Sequence, residues 1–300
     1  MDLRFGILTL ASGPISHISR DWRTAEELGF DSAWVADTLS LSGLVEYEAW
    51  TILAALAEKT SRLRIGTLVT QITFRHPAIL ATQAITLDHI SGGRLEVGLG
   101  AGDYVADGAA VGVEPWPIDE RLARLEEQLS ILDPLLRGQP LEYSGRFYST
   151  RALQLTAPVQ HPRPRSSLRA RCGEPCNWSH GSRRAGILGG QPLGKSGRPP
   201  LPLAEAAART RDQARNLDDS CRRLGRDPKT IRRSVLPYRV KTHPLSSLDV
   251  FDEFVGLYAE AGIDEFIFYW PPVENLRRKE AVTRSQQAIF ERIAAERVRR

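Results

Sequence analysis

Two carboxyl groups and one imidazole are the first candidates for chemistry in this chain. Asp103 directly follows a glycine-rich strand end, and a carboxyl group in a dry pocket can have a raised pKa and act as a general acid. A solvated loop aspartate, or a cap for the next segment, is the ordinary alternative. Asp37 ends the second predicted strand, where its ordinary role would be to cap the next loop. His76 precedes Pro77, so it could be a base, but a helix cap is the simpler interpretation.

The strand end beside Asp103 lacks side chains. Gly98, Gly100 and Gly102 alternate along it, with Ala101 between the last two. A bare exit allows a flat or phosphorylated ligand to approach the backbone amides closely. The sequence therefore predicts a ligand surface next to a carboxylate.

Apolar strands and amphipathic helices alternate along the chain and must position these residues. Strands are predicted over residues 4–10, 31–36, 63–70, 95–99, 231–240 and 265–270, and helices over 18–28, 48–59, 77–90, 118–136, 203–224, 248–261 and 274–299. Residues 141–148 predict a β-hairpin over a Ser-Gly turn. Such alternation is typical of parallel strands with helices outside, and no linker divides it. We expect one α/β domain over residues 1–300, a (β/α)8 TIM barrel with eight strand positions. A doubly wound open sheet is the alternative.

In such a barrel the site lies at the carboxyl ends of the strands. Asp37 and Thr38 end the second strand, residues 70–73 end the third, and residues 100–103 end the fourth. These ends are expected to meet at one mouth. Trp50, Tyr104, Trp116 and Trp270 could line a pocket there, with core packing as the alternative.

One stretch, residues 163–187, departs from the pattern, so the region around strands five and six is expected to be disturbed. It is rich in Arg, Ser and Cys, has no period of two and no apolar run, and so predicts no regular fifth strand. A reading-frame disturbance in the gene is the favoured interpretation, and an inserted segment is the second. A metal site from Cys172, Cys176 and His180 is disfavoured, because a fourth ligand is missing and Gly173 and Pro175 break the helix. No metal site is therefore predicted.

The composition excludes several classes of protein. The net charge is +4, but residues 161–186 hold six arginines and one glutamate, a surplus of five, so no general basic face for nucleic acid is implied. No apolar run is long enough to cross a membrane. Three cysteines do not suggest a disulfide framework, and residues 1–4 lead straight into a strand. We expect a cytoplasmic protein.

Three phrases of this sequence resemble the luciferase-like monooxygenases, a family that includes reductases and dehydrogenases using the deazaflavin coenzyme F420. They are Phe74-Arg75-His76-Pro77, Leu87-Asp88-His89-Ile90-Ser91-Gly92-Gly93-Arg94 and Gly98-Leu99-Gly100-Ala101-Gly102. Residues 28–37 and 261–265 match more weakly. The phrases occur in the family's order and cover most of the chain outside residues 163–187.

The resemblance implies a flavin or deazaflavin ring, from FMN or F420, at the barrel mouth. Its implied binding residues are Asp37, Thr38, Thr70, Gln71, Ile72, Gly98, Gly100, Ala101 and Gly102. A non-proline cis peptide is implied at Thr70-Gln71-Ile72, and Asp103 matches a proton donor of F420-dependent members. Many members have a histidine, acting in hydride transfer or peroxide chemistry, where this chain has Thr38, so this position departs from the family's pattern.

The resemblance also implies the activity. We expect an oxidoreductase that passes a hydride to a small organic substrate, or oxygenates it, with Asp103, Asp37 and His76 as catalytic candidates. An FMN-dependent two-component monooxygenase with a separate flavin reductase is one alternative. A non-catalytic barrel or partner subunit with an impaired phosphate site is another. Family members are often homodimers, and the sequence carries no code for the substrate.

Overall fold

The computed structural model describes residues 3–41, 43–102, 105–162, 164–170, 184–189, 201–237, 241–272, 275 and 283–298. Thirteen strands lie in these ranges: β1 Arg4–Thr9, β2 Ser32–Val35, β3 Ser40–Leu41, β4 Leu44–Val45, β5 Arg64–Thr67, β6 Thr70–Gln71, β7 Leu95–Gly100, β8 Leu141–Ser144, β9 Ser149–Leu153, β10 Arg165–Ala170, β11 Arg184–Gly189, β12 Arg232–Pro237 and β13 Glu265–Tyr269. The helices are α1 Ile15–Glu27, α2 Ala49–Ala57, α3 Pro77–Ile90, α4 Val105–Ala110, α5 Ile118–Leu136, α6 Leu203–Arg223, α7 Leu248–Glu260 and α8 Arg284–Val298, with a 3₁₀ turn at Pro228–Thr230.

A curled parallel sheet forms the centre of this α/β fold. Its strands follow the order β10-β11-β12-β13-β1-β2-β5-β7-β6, and β10 also pairs with β7. The register aligns Leu8 with Trp34 and with Tyr269, so the carboxyl ends of β1, β2 and β13 lie at one edge. The predicted hairpin is confirmed, because β8 and β9 pair antiparallel.

The two faces of the sheet bury different side chains, as the two-residue period of a strand requires. Phe5, Phe266 and Phe268 point towards the helices and pack in the main core. Leu8, Trp34 and the alternate residues of β12 and β13 form a second cluster on the other face. Apolar side chains therefore fill the concave side of the curled sheet. A ligand would have to bind above them, at the edge where the strands have their carboxyl ends, which we call the mouth.

The prediction that no regular fifth strand exists after residue 163 was wrong for residues 165–170. That segment is β10, aligned with β7 from Arg165 opposite Glu96 to Leu168 opposite Leu99. Strand pairing joins backbone groups, so a partner strand on each side can order a segment that has no strand-like side-chain pattern. Residues 171–183, with Cys172, Cys176 and His180, lie outside the described residues.

Other predicted strands and helices are present in the structure, but they begin or end at different residues. The third predicted strand is interrupted: β5 ends at Thr67, a cis peptide joins Leu68 to Val69, and β6 begins at Thr70. The implied cis peptide therefore exists, but two residues before the expected position. The closing helix is described from Arg284, and most of its predicted first part lies outside the described residues. Among the described helices none is long and apolar enough to cross a membrane.

Candidate functional site

Asp37, Gln71 and Gly100 meet at the carboxyl ends of β2, β6 and β7. The Gln71 backbone N–H donates to Asp37 Oδ2 at 3.1 Å, and Gln71 Nε2 donates to the Asp37 carbonyl oxygen at 3.0 Å. Gln71 stands opposite Gly100 in the pairing of β6 with β7. Strand ends far apart in the chain thus converge on one mouth.

Arg75 fixes the Asp37 carboxylate in place. Its Nη1 lies 2.5 Å from Asp37 Oδ2 and its Nη2 lies 3.2 Å from Oδ1, which makes a two-pronged pair. Such a fork is stronger and more directional than a single ion pair. Arg75 Nη2 also lies 3.3 Å from Glu48 Oε1. One guanidinium group thus links the carboxyl end of β2 to the start of α2. Arg75 therefore has a structural role, because it links three elements of the mouth through these contacts.

Glu48 is the cap of α2 as well as the second partner of Arg75. Its Oε2 accepts the backbone N–H of Thr51 at 2.7 Å. Burial by itself raises the pKa of Glu48, but the hydrogen bonds from Thr51 and Trp50 and the charge of Arg75 outweigh it, so the pKa is lowered. Glu48 therefore stays ionised beside the mouth at neutral pH.

Gln71 leaves one polar atom unused. Its side chain is 5% exposed, and Oε1 has no hydrogen-bond partner. A buried amide oxygen without a donor costs free energy, so such atoms in folded proteins usually meet a water or a ligand. Thr73, two residues further on, also has a buried hydroxyl without a partner. Two buried polar atoms of residues 71–73 therefore lack a hydrogen-bond partner among the described residues.

The glycines of β7 are required by the protein's own packing. A Cβ on Gly98 would lie 1.9 Å from the Thr67 carbonyl oxygen, and one on Gly100 would lie 2.4 Å from Val69 Cγ2. Gly102 has φ +73°, and its carbonyl oxygen accepts from Arg121 Nη1 at 2.9 Å. The segment joining β5 to β6 therefore occupies the space that a side chain at 98 or 100 would fill. Ala101, between Gly100 and Gly102, is only partly buried.

Several predicted binding residues have side chains already engaged by the fold. The Thr38 hydroxyl lies 2.7 Å from Glu46 Oε1. The Thr70 hydroxyl lies 2.7 Å from that of Thr67 and accepts from Trp50 Nε1 at 3.2 Å. Ile72 is buried, and its backbone N–H donates to the Gly100 carbonyl at 3.4 Å. These three residues lie at the mouth and shape its wall.

His76 caps α3 and does not reach the mouth contacts. Its Nδ1 accepts the backbone N–H of Ala78 at 3.2 Å, and its ring meets the Tyr148 ring edge-on at 5.5 Å. Trp270 stacks on Phe290 with ring centroids 3.5 Å apart, which confirms its core role. Trp116 is partly buried under the Arg124 guanidinium, 4.0 Å from the ring centroid.

Asp107 is a site residue that sequence reasoning missed. It is 2% exposed, and its carboxylate accepts the backbone N–H groups of Leu39 at 2.6 Å and Ser40 at 3.2 Å. It thereby ties α4, after β7, to the loop after β2. Its sequence surroundings, alanine and glycine, carry no signal for such a contact. Asp103 and Tyr104, just before α4, lie outside the described residues.

Taken together, the described mouth presents a fixed carboxylate beside the segment joining β5 to β6. Asp37 is held on one side by Arg75 and on the other by the Gln71 N–H. Gln71 Oε1 is buried beside this carboxylate and has no donor within the described residues.

The sequence is similar to a protein family and to several characterised enzymes. A family model described as luciferase-like monooxygenase matches residues 3–240. A 4-hydroxyprotoasukamycin monooxygenase of Streptomyces nodosus subsp. asukaensis is 30% identical over 197 residues, 64% of this chain and 51% of that protein. An F420-dependent glucose-6-phosphate dehydrogenase of Amycolatopsis mediterranei is 36% identical over 129 residues, 41% of this chain and 38% of that protein. The matches thus span about half or less of the length of these relatives.

The fold of this chain also resembles the folds of solved protein structures. A riboflavin lyase crystallised with modified FMN and riboflavin superposes with a TM-score of 0.75 at 13% identity, covering 100% of this chain and 92% of that one. At this identity the likeness concerns the fold alone.

Proposed function

The chain belongs to the luciferase-like monooxygenase family, and on that premise we propose that it is an oxidoreductase that uses F420 or FMN on a small organic substrate. The main support is the convergence of Asp37, Gln71 and Gly100, with the buried Gln71 Oε1 left without a donor. When bound, such a coenzyme supplies a hydride or a ring that activates oxygen. We further propose that the curled sheet is the wall of a complete (β/α)8 barrel over residues 1–300.

The residues present at the mouth fit such a coenzyme. Gln71 would hold a ring N–H through Oε1, while its own N–H groups keep Asp37 oriented. The segment from Leu68 to Gln71 forms the surface behind the ring, and Thr38, Ile72 and Ala101 its edges. Asp103 follows Gly102 at the exit of β7 and is the proposed proton donor to the substrate.

The alternatives differ in the partner that the reaction needs. An FMN-dependent monooxygenase would take reduced flavin from a separate reductase, and the similarity to a monooxygenase over 64% of this chain favours keeping this candidate. The similarity to F420-dependent dehydrogenases supports the deazaflavin. A non-catalytic barrel or partner subunit is the third possibility, and a homodimer is compatible with all three.

Coenzyme titration tests the proposal directly. The purified chain is titrated with FMN and, separately, with F420, and the absorbance shift and fluorescence quenching of each coenzyme give its dissociation constant. Gln71→Met keeps the approximate size of the side chain but removes both the free acceptor Oε1 and the Nε2 donor to the Asp37 carbonyl, and we expect binding at least about 10-fold weaker, the value of one hydrogen bond.

Gln83→Met is the matched control. Gln83 lies on α3, away from the mouth, and its Oε1 also has no partner. The control should bind like the wild-type chain. If neither coenzyme gives a shift with the wild-type chain, the proposal fails and the non-catalytic alternative gains support.

A further inference from the structure

Exposed apolar side chains gather on the loops that surround the mouth. Five of the ten large apolar residues exposed in the described ranges lie there, on segments that follow β1, β2 and β7: Ile15, Leu39, Val45, Tyr47 and Val111. Val45 is the most exposed at 81%, and Val111, just after α4, is 55% exposed. Single exposed apolar residues are ordinary, but a group on one rim indicates a binding surface. We call these five residues the apolar rim.

The backbone of the loop after β2, which carries Leu39, Val45 and Tyr47 of the apolar rim, is held by hydrogen bonds. The loop after β2 forms the small hairpin of β3 and β4, with Ser40 opposite Val45. Asp107 accepts the N–H groups at the start of this hairpin, as described above. At its other end the Glu46 N–H donates to the Leu39 carbonyl at 3.1 Å, and the Tyr47 N–H donates to the Ala11 carbonyl at 2.8 Å. Apolar side chains are thus kept in solvent by a pinned backbone, which is unfavourable unless something covers them.

The charges on this side of the mouth disfavour an anionic ligand. Four carboxylates (Asp37, Glu46, Glu48 and Asp107) stand around this side of the mouth. Two guanidinium groups reach it: Arg75 is paired with Asp37 and Glu48, and Arg121 donates to the Gly102 carbonyl oxygen. The carboxylates outnumber the guanidinium groups, so a phosphate or carboxylate arriving here would meet a net negative charge from the described residues.

We propose that the apolar rim is the substrate entrance of this protein and that it selects neutral, largely apolar organic molecules over sugar phosphates. This inference rests on the proposed function, because the rim surrounds the proposed coenzyme mouth. Asp107 acts in it as a positioning residue: it holds the hairpin so that Leu39 and Val45 stay beside the mouth. The substrate would gain affinity by removing apolar surface of the rim from water.

Binding of a neutral fluorescent probe tests the entrance. N-phenyl-1-naphthylamine is titrated into the chain loaded with whichever coenzyme binds, and its fluorescence gives the affinity. The double variant Val45→Ser/Val111→Ser removes apolar surface at two exposed positions, so the fold should be unaffected, and we expect binding 5- to 10-fold weaker. Ile79→Ser is the matched control, because Ile79 is 56% exposed on α3, outside the rim, and it should leave binding unchanged.

A second variant tests the positioning role. Asp107→Asn keeps the shape of the side chain but replaces one acceptor oxygen by a donor, which would face a backbone N–H. We expect weaker probe binding together with faster proteolysis within residues 39–46, while Asp119→Asn, on the exposed start of α5, should change neither.

The outcomes separate this inference from the proposed function. Coenzyme binding with no probe binding, equal losses in the rim and control variants, or displacement of the probe by glucose 6-phosphate would each overturn the apolar entrance while the coenzyme site stands. Probe binding without any coenzyme binding would also overturn its role as a substrate entrance, and the proposed function would fail with it.

Discussion

Replacing Gly98 by alanine should destabilise the protein even when no coenzyme is present. The sequence alone suggests that Gly98 is bare so that a ligand can approach. The structure instead places the Thr67 carbonyl oxygen 1.9 Å from the position of an added Cβ, whereas real Cβ atoms essentially never come within 3.0 Å of another atom. The backbone would have to move by at least the difference, 1.1 Å. Since the obstacle is a strand and not a flexible side chain, it cannot rotate away.

The expected cost follows from that overlap. Overpacking a core costs about 1–3 kcal/mol, and a collision with backbone belongs at the upper end, about 3 kcal/mol. For a chain of 300 residues that corresponds to a decrease in Tm of about 5 °C. Gly256→Ala is the matched control, because Gly256 lies within α7 with nothing within 4 Å of an added Cβ. There the same change should stabilise by about 0.5–1 kcal/mol through helix propensity.

Thermal unfolding followed by circular dichroism, on both variants without coenzyme, decides between the two interpretations. A Gly98→Ala variant that unfolds at the wild-type temperature but no longer binds FMN or F420 would refute the reasoning, because the glycine would then serve the ligand and not the strand. A lowered Tm in the coenzyme-free chain, with a raised or unchanged Tm for Gly256→Ala, would support it.

Two further predictions concern charged groups. Arg75→Lys should lower stability by about 1–3 kcal/mol, measured by urea unfolding, because lysine cannot form the two-pronged pair with Asp37; an unchanged midpoint would contradict this. Glu26 accepts backbone N–H groups of residues 61–63 at 2.6–3.1 Å. Burial by itself raises its pKa, but these bonds outweigh that effect and the pKa is lowered. The ionised Glu26 carboxylate therefore stabilises the folded state fully at pH values above the ordinary pKa of glutamate. This contribution is lost as the pH falls through the lowered pKa of the folded state. Glu26→Gln should be less stable at pH 7 and lose less on acidification, and parallel pH profiles would contradict the assignment.

The sequence predicted the local parts of the site well. His76 before Pro77 indicated a helix cap, and its Nδ1 accepts the Ala78 N–H. Strand ends at Asp37, Gln71 and Gly100 were expected to converge, and they do. Such predictions succeed because they depend on helix and strand periods and on the rule that parallel strands end at one edge.

The parts that failed depend on residues far apart in the chain. Asp107 binds backbone groups 67 and 68 residues away, and no local pattern announces it. The cis peptide lies at Leu68–Val69 and not at the expected position. Residues 165–170 form a strand despite their composition, since β7 and β11 supply backbone partners.

By itself, then, the sequence determined the alternation of strands and helices and the family, and it predicted the edge at which a ligand would bind. Only the tertiary structure decided why Gly98 must be glycine, which carboxylate Arg75 holds, and which apolar residues stand around the mouth. The physical reason is that periodicity and turn preferences depend on residues that are neighbours in the sequence. The close approach of two backbones and the pairing of two charged groups depend instead on how strands distant in the chain are aligned.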